Sequence, residues 1–213
     1  MRATVDWVAG PVTGVIDLVQ RTPSEAVRVT VDIAGLKPGQ LHGFHIHAKP
    51  AHSAADLATS CAACGGHFNP LNQPHGSVFV DATRRHVGDL INNVLADEAG
   101  RARVSFTDPL LTLVPTPARP YSVVGKSVVV HDGVDDLGQQ GSVIRPPALT
   151  AEHGVLPGWR DDCRRYADAA RRTESTVTGN AGQRRACGNI RVVDESQGLR
   201  GWRGSGRHVR PHD

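Results

Sequence analysis

The chain has 213 residues, 39% hydrophobic and 21% charged, and a net charge of only +3. That length can bury a full core of its own as one domain or two, and the balance of apolar and charged residues is that of a soluble globular protein. No stretch approaches the roughly 18 to 20 uninterrupted apolar residues of a membrane-spanning helix. Of the four cysteines, Cys61 and Cys64 form a single C-x-x-C with no second pair to match it, so a tetra-cysteine zinc site is not expected.

In chain order, the first hundred residues read as short strands and turns. The opening "MRATVDWVAGPVTGVIDLVQ" lacks the apolar run and small-residue cleavage site of a secretion signal, so a cytoplasmic location is expected. Strand candidates lie at 3–9 and 14–20. Val27, Val29, Val31 and Ile33 alternate with Arg28, Thr30 and Asp32, the period-two pattern of a half-buried strand, and "GLKPG" supplies a turn. After the turn signal "ADEAG", Ala102, Val104 and Phe106 alternate with Arg103 and Ser105. Further strands are expected at 125–131 and 186–193. Many short strands with Gly/Pro turns and little helical period predict an all-β, antiparallel sandwich or barrel.

Two long segments interrupt this pattern. Residues 48–77 form an Ala/Gly/Pro-rich loop. Residues 142–178 are too long for a structureless connection, and "DDCRRYADAARR" at 161–172 predicts a short amphipathic helix capped by its first Asp. From residue 195 the chain is rich in Gly and Arg and reads as a basic, disordered tail. The expected organisation is one domain over 1–194, with an insertion at about 142–173 and a tail at 195–213.

The chemistry sits in the histidines. In "LHGFHIHAKP", His45 and His47 are two apart, so on a strand both imidazoles leave one face while Phe44 and Ile46 leave the other. Alone, such a pair reads more readily as two exposed side chains than as metal ligands. His67 in "GGHFNP", His75, His86 and Asp89 in "RHVGD", and His131 closing "VVVH" change that reading. Three imidazoles with one carboxylate suit tetrahedral zinc, and an all-imidazole set suits copper.

"GFHIH", "GGHFNP", "RHVGDL", "VVHDGVDDLG" and "TGNAGQRRACG", in this order, resemble the signature blocks of copper/zinc superoxide dismutase over roughly residues 3 to 193. The resemblance implies a Greek-key β-sandwich or barrel of about eight strands with long metal-binding and channel loops. It also implies dismutation of superoxide to dioxygen and hydrogen peroxide. Copper would be held by His45, His47, His67 and His131, and zinc by His67, His75, His86 and Asp89, so that His67 bridges the two metals. His67 would also take up and return a proton during turnover. Asp135 matches the carboxylate that ties His45 to His75, although an ordinary turn residue remains the alternative reading of "GVDDLG". His42 matches a structural histidine. Arg184 matches the substrate-guiding arginine, with Arg185 or neither as alternatives in the double arginine. Gly133 and Val177 stand where lysines are common in the family, and arginines of the insertion are the candidates to replace their field. Cys61 and Cys187 match the family disulfide, and closing about 126 residues stabilises by up to roughly 5 kcal/mol in the chain-entropy model. A Cys64–Cys163 bridge is geometrically conceivable, with two reduced thiols as the plainer alternative.

Rival readings are a copper chaperone, a copper-binding decoy of little activity, and a phosphate-binding role for the basic tail. The chaperone motifs M-x-C-x-x-C and C-x-C do not occur in the chain, and nucleic acid is not an expected partner. The partners implied are superoxide itself and a copper chaperone that delivers metal. The family's homodimer is expected to be absent or altered, because Lys49-Pro50 follow His47 and Asn189 and Arg191 lie on the last strand.

Overall fold

The structure is a computed structural model that describes residues 1–79, 81, 83–140, 148–150, 154–156 and 168–194. The tail from 195, Cys163 and most of the 142–173 insertion therefore lie outside the described residues.

Among the described residues, ten strands and two α-helices follow one another along the chain. They are β1 (Arg2–Ala9), β2 (Thr13–Val19), β3 (Val27–Ala34), β4 (Leu41–His47), α1 (Leu57–Ala62), β5 (Asn93–Leu95), β6 (Ala102–Asp108), β7 (Ser127–His131), β8 (Ala148–Thr150), β9 (Gly154–Leu156), α2 (Ala169–Thr178) and β10 (Arg184–Val192). The strand order is β6-β3-β2-β1-β10-β7-β4-β5-β8-β9. Eight of them, β1–β7 and β10, form a nearly closed antiparallel barrel, and β8 joins β5 in parallel through Val94 and Leu149. The chain crosses over between β3 and β4: β3 pairs with β6, while β4 pairs with β7, as a Greek key requires.

The predicted alternation decides what the barrel buries. Val27, Val29, Val31 and Ile33 are at most 1% exposed, and Ile16, Leu18, Ala102, Val104 and Ile190 pack with them. Phe44 and Ile46 of β4 enter this core, which leaves His45 and His47 on the outer wall. That wall is not solvated: loops cover it, and both histidines are at most 2% exposed. The Cys61–Cys187 disulfide links α1 to β10 with a Cα–Cα distance of 5.6 Å. It fastens the long loop after β4 onto the last strand. Cys64 is a buried free thiol beside it.

The helix expected over 161–172 falls within the described residues only at its end: α2 runs Ala169–Thr178, with Asp168 as its cap, accepting from the Ala170 N–H at 2.8 Å. Residues 161–167 lie outside the described residues. What fixes this register is the far end. Ser175 is buried and its hydroxyl donates to Asp136, and Gly179 closes the helix in the left-handed region at φ 70°.

Candidate metal centre

Four elements deliver the site. β4 supplies His45 and His47 by strand alternation, β7 ends at His131 beside them, and an isolated bridge pairs His47 with His67. The last group comes from the 75–89 segment, where a 3-10 turn over Val87–Asp89 presents Asp89 three residues after His86. Gly88 packs so closely on the Ile46 and Phe68 backbone that no side chain fits there, which fixes the turn against β4.

The donors gather into two sets. His45, His47, His67 and His131 form one, and His67, His75, His86 and Asp89 the other; in each set the ligand atoms lie within 4.8 Å of one another. All the sequence-predicted ligands are thus brought together, and His67 belongs to both sets.

Hydrogen bonds settle which ring nitrogens are free. The Nδ1 of His47 donates to Gly65 O at 2.8 Å, and the Nδ1 of His131 to Gly182 O at 3.0 Å. The Nε2 of His45 donates to Asp135 at 2.5 Å. What remains are acceptor lone pairs on His47 Nε2 and His131 Nε2, 3.4 Å apart, with His45 Nδ1 and His67 Nε2 buried and without any hydrogen-bond partner. Buried polar atoms are seldom left in that state. Four convergent lone pairs fit a cation, and a set made only of imidazoles suits copper. In the second set, Nδ1 of His67, His75 and His86 all lie 2.8 to 3.0 Å from one oxygen of Asp89. Three imidazoles and a carboxylate converging this way match the donor set of tetrahedral zinc.

Electrostatics agree. Burial, with help from neighbouring imidazoles, holds His47 well below the usual histidine range and His67 and His131 at about 3, so these rings stay neutral and basic lone pairs stay available. Burial pulls His75 the same way, but the Asp135 and Asp89 carboxylates outweigh it and raise it well above the ordinary value. Despite complete burial, Asp135 is held far below the usual carboxylate range by His75 and His45.

Asp135 spans both sets. Its Oδ2 accepts from His45 and its Oδ1 from His75 Nε2 at 3.1 Å, and it is wholly buried. An ordinary turn residue would do neither. His42 bonds the His131 carbonyl at 2.7 Å and keeps to its structural place. Arg184 is half-buried and donates to Cys61 O and Gly65 O, both at 2.5 Å, and its charge lowers the basicity of His47 and His131. Arg185 points elsewhere, to Gly35 O and to Asp132, which also pairs with Lys37. Val177, on α2, is 51% exposed and Val134 39%.

Two residues carry almost no signal of their role in the sequence. Arg85 is fully buried, pairs with Asp108 at 2.7 Å and donates to His86 O, so it supports the segment that carries His86 and Asp89. Asn92, at φ 60°, donates to Gly76 O at 2.9 Å and ties His75's neighbour to the same turn. A basic residue next to a histidine block was the only trace of the first.

Comparison with known proteins agrees with this geometry. A family model described as copper/zinc superoxide dismutase matches residues 12–154. The Cu-Zn superoxide dismutase of Saccharomyces cerevisiae is 37% identical over 183 residues, covering 86% of this chain and 92% of that protein. That of Paramecium bursaria Chlorella virus 1 is 35% identical over 187 residues, 88% of this chain and 76% of the relative. A copper chaperone for superoxide dismutase from Sus scrofa is 35% identical over 192 residues, but this chain spans only 52% of it. Among solved structures, the clock protein EA4 superposes with a TM-score of 0.64 at 30% identity, covering 90% of this chain and 94% of that one. With its barrel, its Cys61–Cys187 disulfide and its two histidine sets suited to copper and zinc, the chain belongs to the copper/zinc superoxide dismutase family.

Proposed function

We propose that the protein is a superoxide dismutase, converting superoxide to dioxygen and hydrogen peroxide. The observation that carries this reading is the complete all-imidazole set, His45, His47, His67 and His131, with unpartnered lone pairs on His45 Nδ1 and His67 Nε2. These four would hold copper, and His67, His75, His86 and Asp89 would hold zinc. Copper would supply one-electron redox chemistry, and zinc a fixed charge without redox change.

The chain's own residues supply the rest. Asp135 orients the His45 and His75 rings from one carboxylate and so couples the two sets. The backbone carbonyls of Gly65 and Gly182 hold the His47 and His131 rings with Nε2 inward. His67 has Nδ1 on the Asp89 side and Nε2 on the other, so Nε2 is the atom where a proton can be held and handed to the superoxide that is being reduced to hydrogen peroxide. Arg184, clamped to Cys61 O and Gly65 O, places a permanent positive charge beside His47 and His131, where it attracts a small anion. The disulfide keeps that loop, and with it Arg184's two acceptors, on β10.

The similarity to a copper chaperone supports a second reading, in which the same fold handles copper without turning over superoxide. A full set of four imidazoles favours the enzyme. Metal content and superoxide-scavenging rate measured on the same samples test the choice. His131→Ala is expected to lose copper and activity while keeping zinc, and Asp89→Ala to lose zinc first. A copper-loaded wild type with no scavenging activity would overturn the dismutase reading.

A further inference from the structure

We propose that Asn93 is a positioning residue for the paired metal site, acting through the backbone of Asp135. The inference rests on the two-set reading above and adds a residue outside both donor sets.

Asn93 opens the three-residue strand β5 and is 0% exposed. Asparagine is depleted in strands, and burying its amide is costly unless both ends are bonded. Here both ends go to one residue. Its Oδ1 accepts from the Asp135 N–H at 2.9 Å, and its Nδ2 donates to the Asp135 C=O at 3.0 Å, across 42 positions of sequence. The amide therefore acts as a substitute peptide group and pairs with Asp135 as a neighbouring strand would.

Asp135 needs such a partner. It lies in the turn after β7, where no strand pairs with it, and its neighbour Val134 is exposed. Yet its carboxylate must meet two rings from different parts of the chain, His45 at 2.5 Å and His75 at 3.1 Å. Asn93 ties this turn to the framework that carries one of those rings, because Asn93 pairs with Gly43 in β4, two residues before His45. The adjacent Asn92 holds the other side: its N–H donates to Asp89 O at 2.8 Å, and its side chain bonds Gly76 O beside His75. The carboxylate itself also accepts from the Leu137 N–H at 2.6 Å and from Asn92 Nδ2 at 3.3 Å, while Asn93 is the residue that fastens the Asp135 backbone to the strand pair beside His45.

The test uses the full chain and cobalt(II) or copper(II) as probes, with affinity read by chelator competition and the cobalt site by its visible spectrum. Asn93→Val removes both bonds while keeping a strand-forming side chain. It is expected to weaken both metals by up to roughly tenfold, the low end of what loss of an outer partner to a ligand costs. Asn93→Ser, whose hydroxyl can still accept from the Asp135 N–H, is expected to fall between Asn93→Val and wild type. It keeps the test open should the valine variant fail to fold. The decisive comparison is in an Asp135→Asn background, where the valine substitution should add no further loss. Unchanged affinities in Asn93→Val, or the same loss with and without the Asp135 carboxylate, would overturn the proposal while leaving the two-metal reading intact. A wild type that binds neither probe would overturn both.

Discussion

Gly179 lies against the carboxylate of Asp135 so closely that a Cβ added to the glycine would overlap the carboxylate atoms. The glycine also takes φ 70°, a conformation that L side chains rarely adopt. One position therefore ends α2, lets the channel loop turn and leaves room for the carboxylate that reaches both histidine sets.

Gly179→Ala is accordingly expected to act twice. Strain in the left-handed region costs about 1 kcal/mol, and displacement of Asp135 should loosen His45 and His75 together. Denaturant unfolding of the metal-free chain reads the first effect, and zinc and copper retention the second. Full retention of both metals in a folded Gly179→Ala protein would show that Asp135 does not need this space.

The Arg85–Asp108 pair gives a second prediction. Both side chains are at most 3% exposed, and Arg85 also donates to His86 O, next to the ligand set. Removing one partner leaves the other charge buried, a loss of roughly 3–5 kcal/mol. Arg85→Met should show that loss in urea unfolding and release zinc faster. Adding Asp108→Leu should restore much of the stability, because the stranded carboxylate is gone. If the single substitution proves neutral, the pair does not support the zinc segment.

How far the sequence showed all this depends on the range of each interaction. Strand alternation is local, so Val27–Ile33 and the His45/His47 face were legible from a few residues. The ligand partners and Asp135 were legible through the family blocks, each contained within about ten residues. The C-terminal extent of α2 to Thr178 was not, since its anchor, Ser175 bonding Asp136, spans 39 positions. Asn93 and Arg85 were invisible for the same reason: their partners, Asp135 and Asp108, are 42 and 23 positions away and carry no spacing signal.

Acid and base should both destabilise the metal-free chain. His47, His67 and His131 are depressed below the ordinary 6.5, the latter two to about 3, chiefly by burial. Unfolded, they take up protons near 6.5; folded, they do not. Their contribution is complete above that pH and falls as pH drops toward about 3. His75 is raised, so its contribution is complete below 6.5 and is lost as pH climbs through its folded value. The melting temperature of chelator-treated protein is therefore expected to peak near pH 6.5. A melting temperature that rises steadily from pH 6.5 to 4 would contradict the assignment of neutral, buried imidazoles.

The two adjacent arginines permit a direct test of how an anion is drawn in. Arg184 is held by Cys61 O and Gly65 O with its charge felt at His47 and His131, whereas Arg185 is turned toward Asp132 and Gly35 O. Gly133 and Val177, the two positions where lysines are common in the family, carry no charge, so Arg184 holds a larger share of the local attraction than lysines there would leave it. Arg184→Ala should slow superoxide scavenging by on the order of tenfold, within the range that steering supplies, and should flatten its dependence on ionic strength. Arg185→Ala should leave the rate and its salt dependence near wild type and instead lower stability modestly through the loss of Asp132 and Gly35 contacts. Stopped-flow rates over a series of salt concentrations measure both variants at once. Equal rate losses in the two would mean that neither arginine is specifically placed for the substrate, and that the field arises from the chain's overall positive charge.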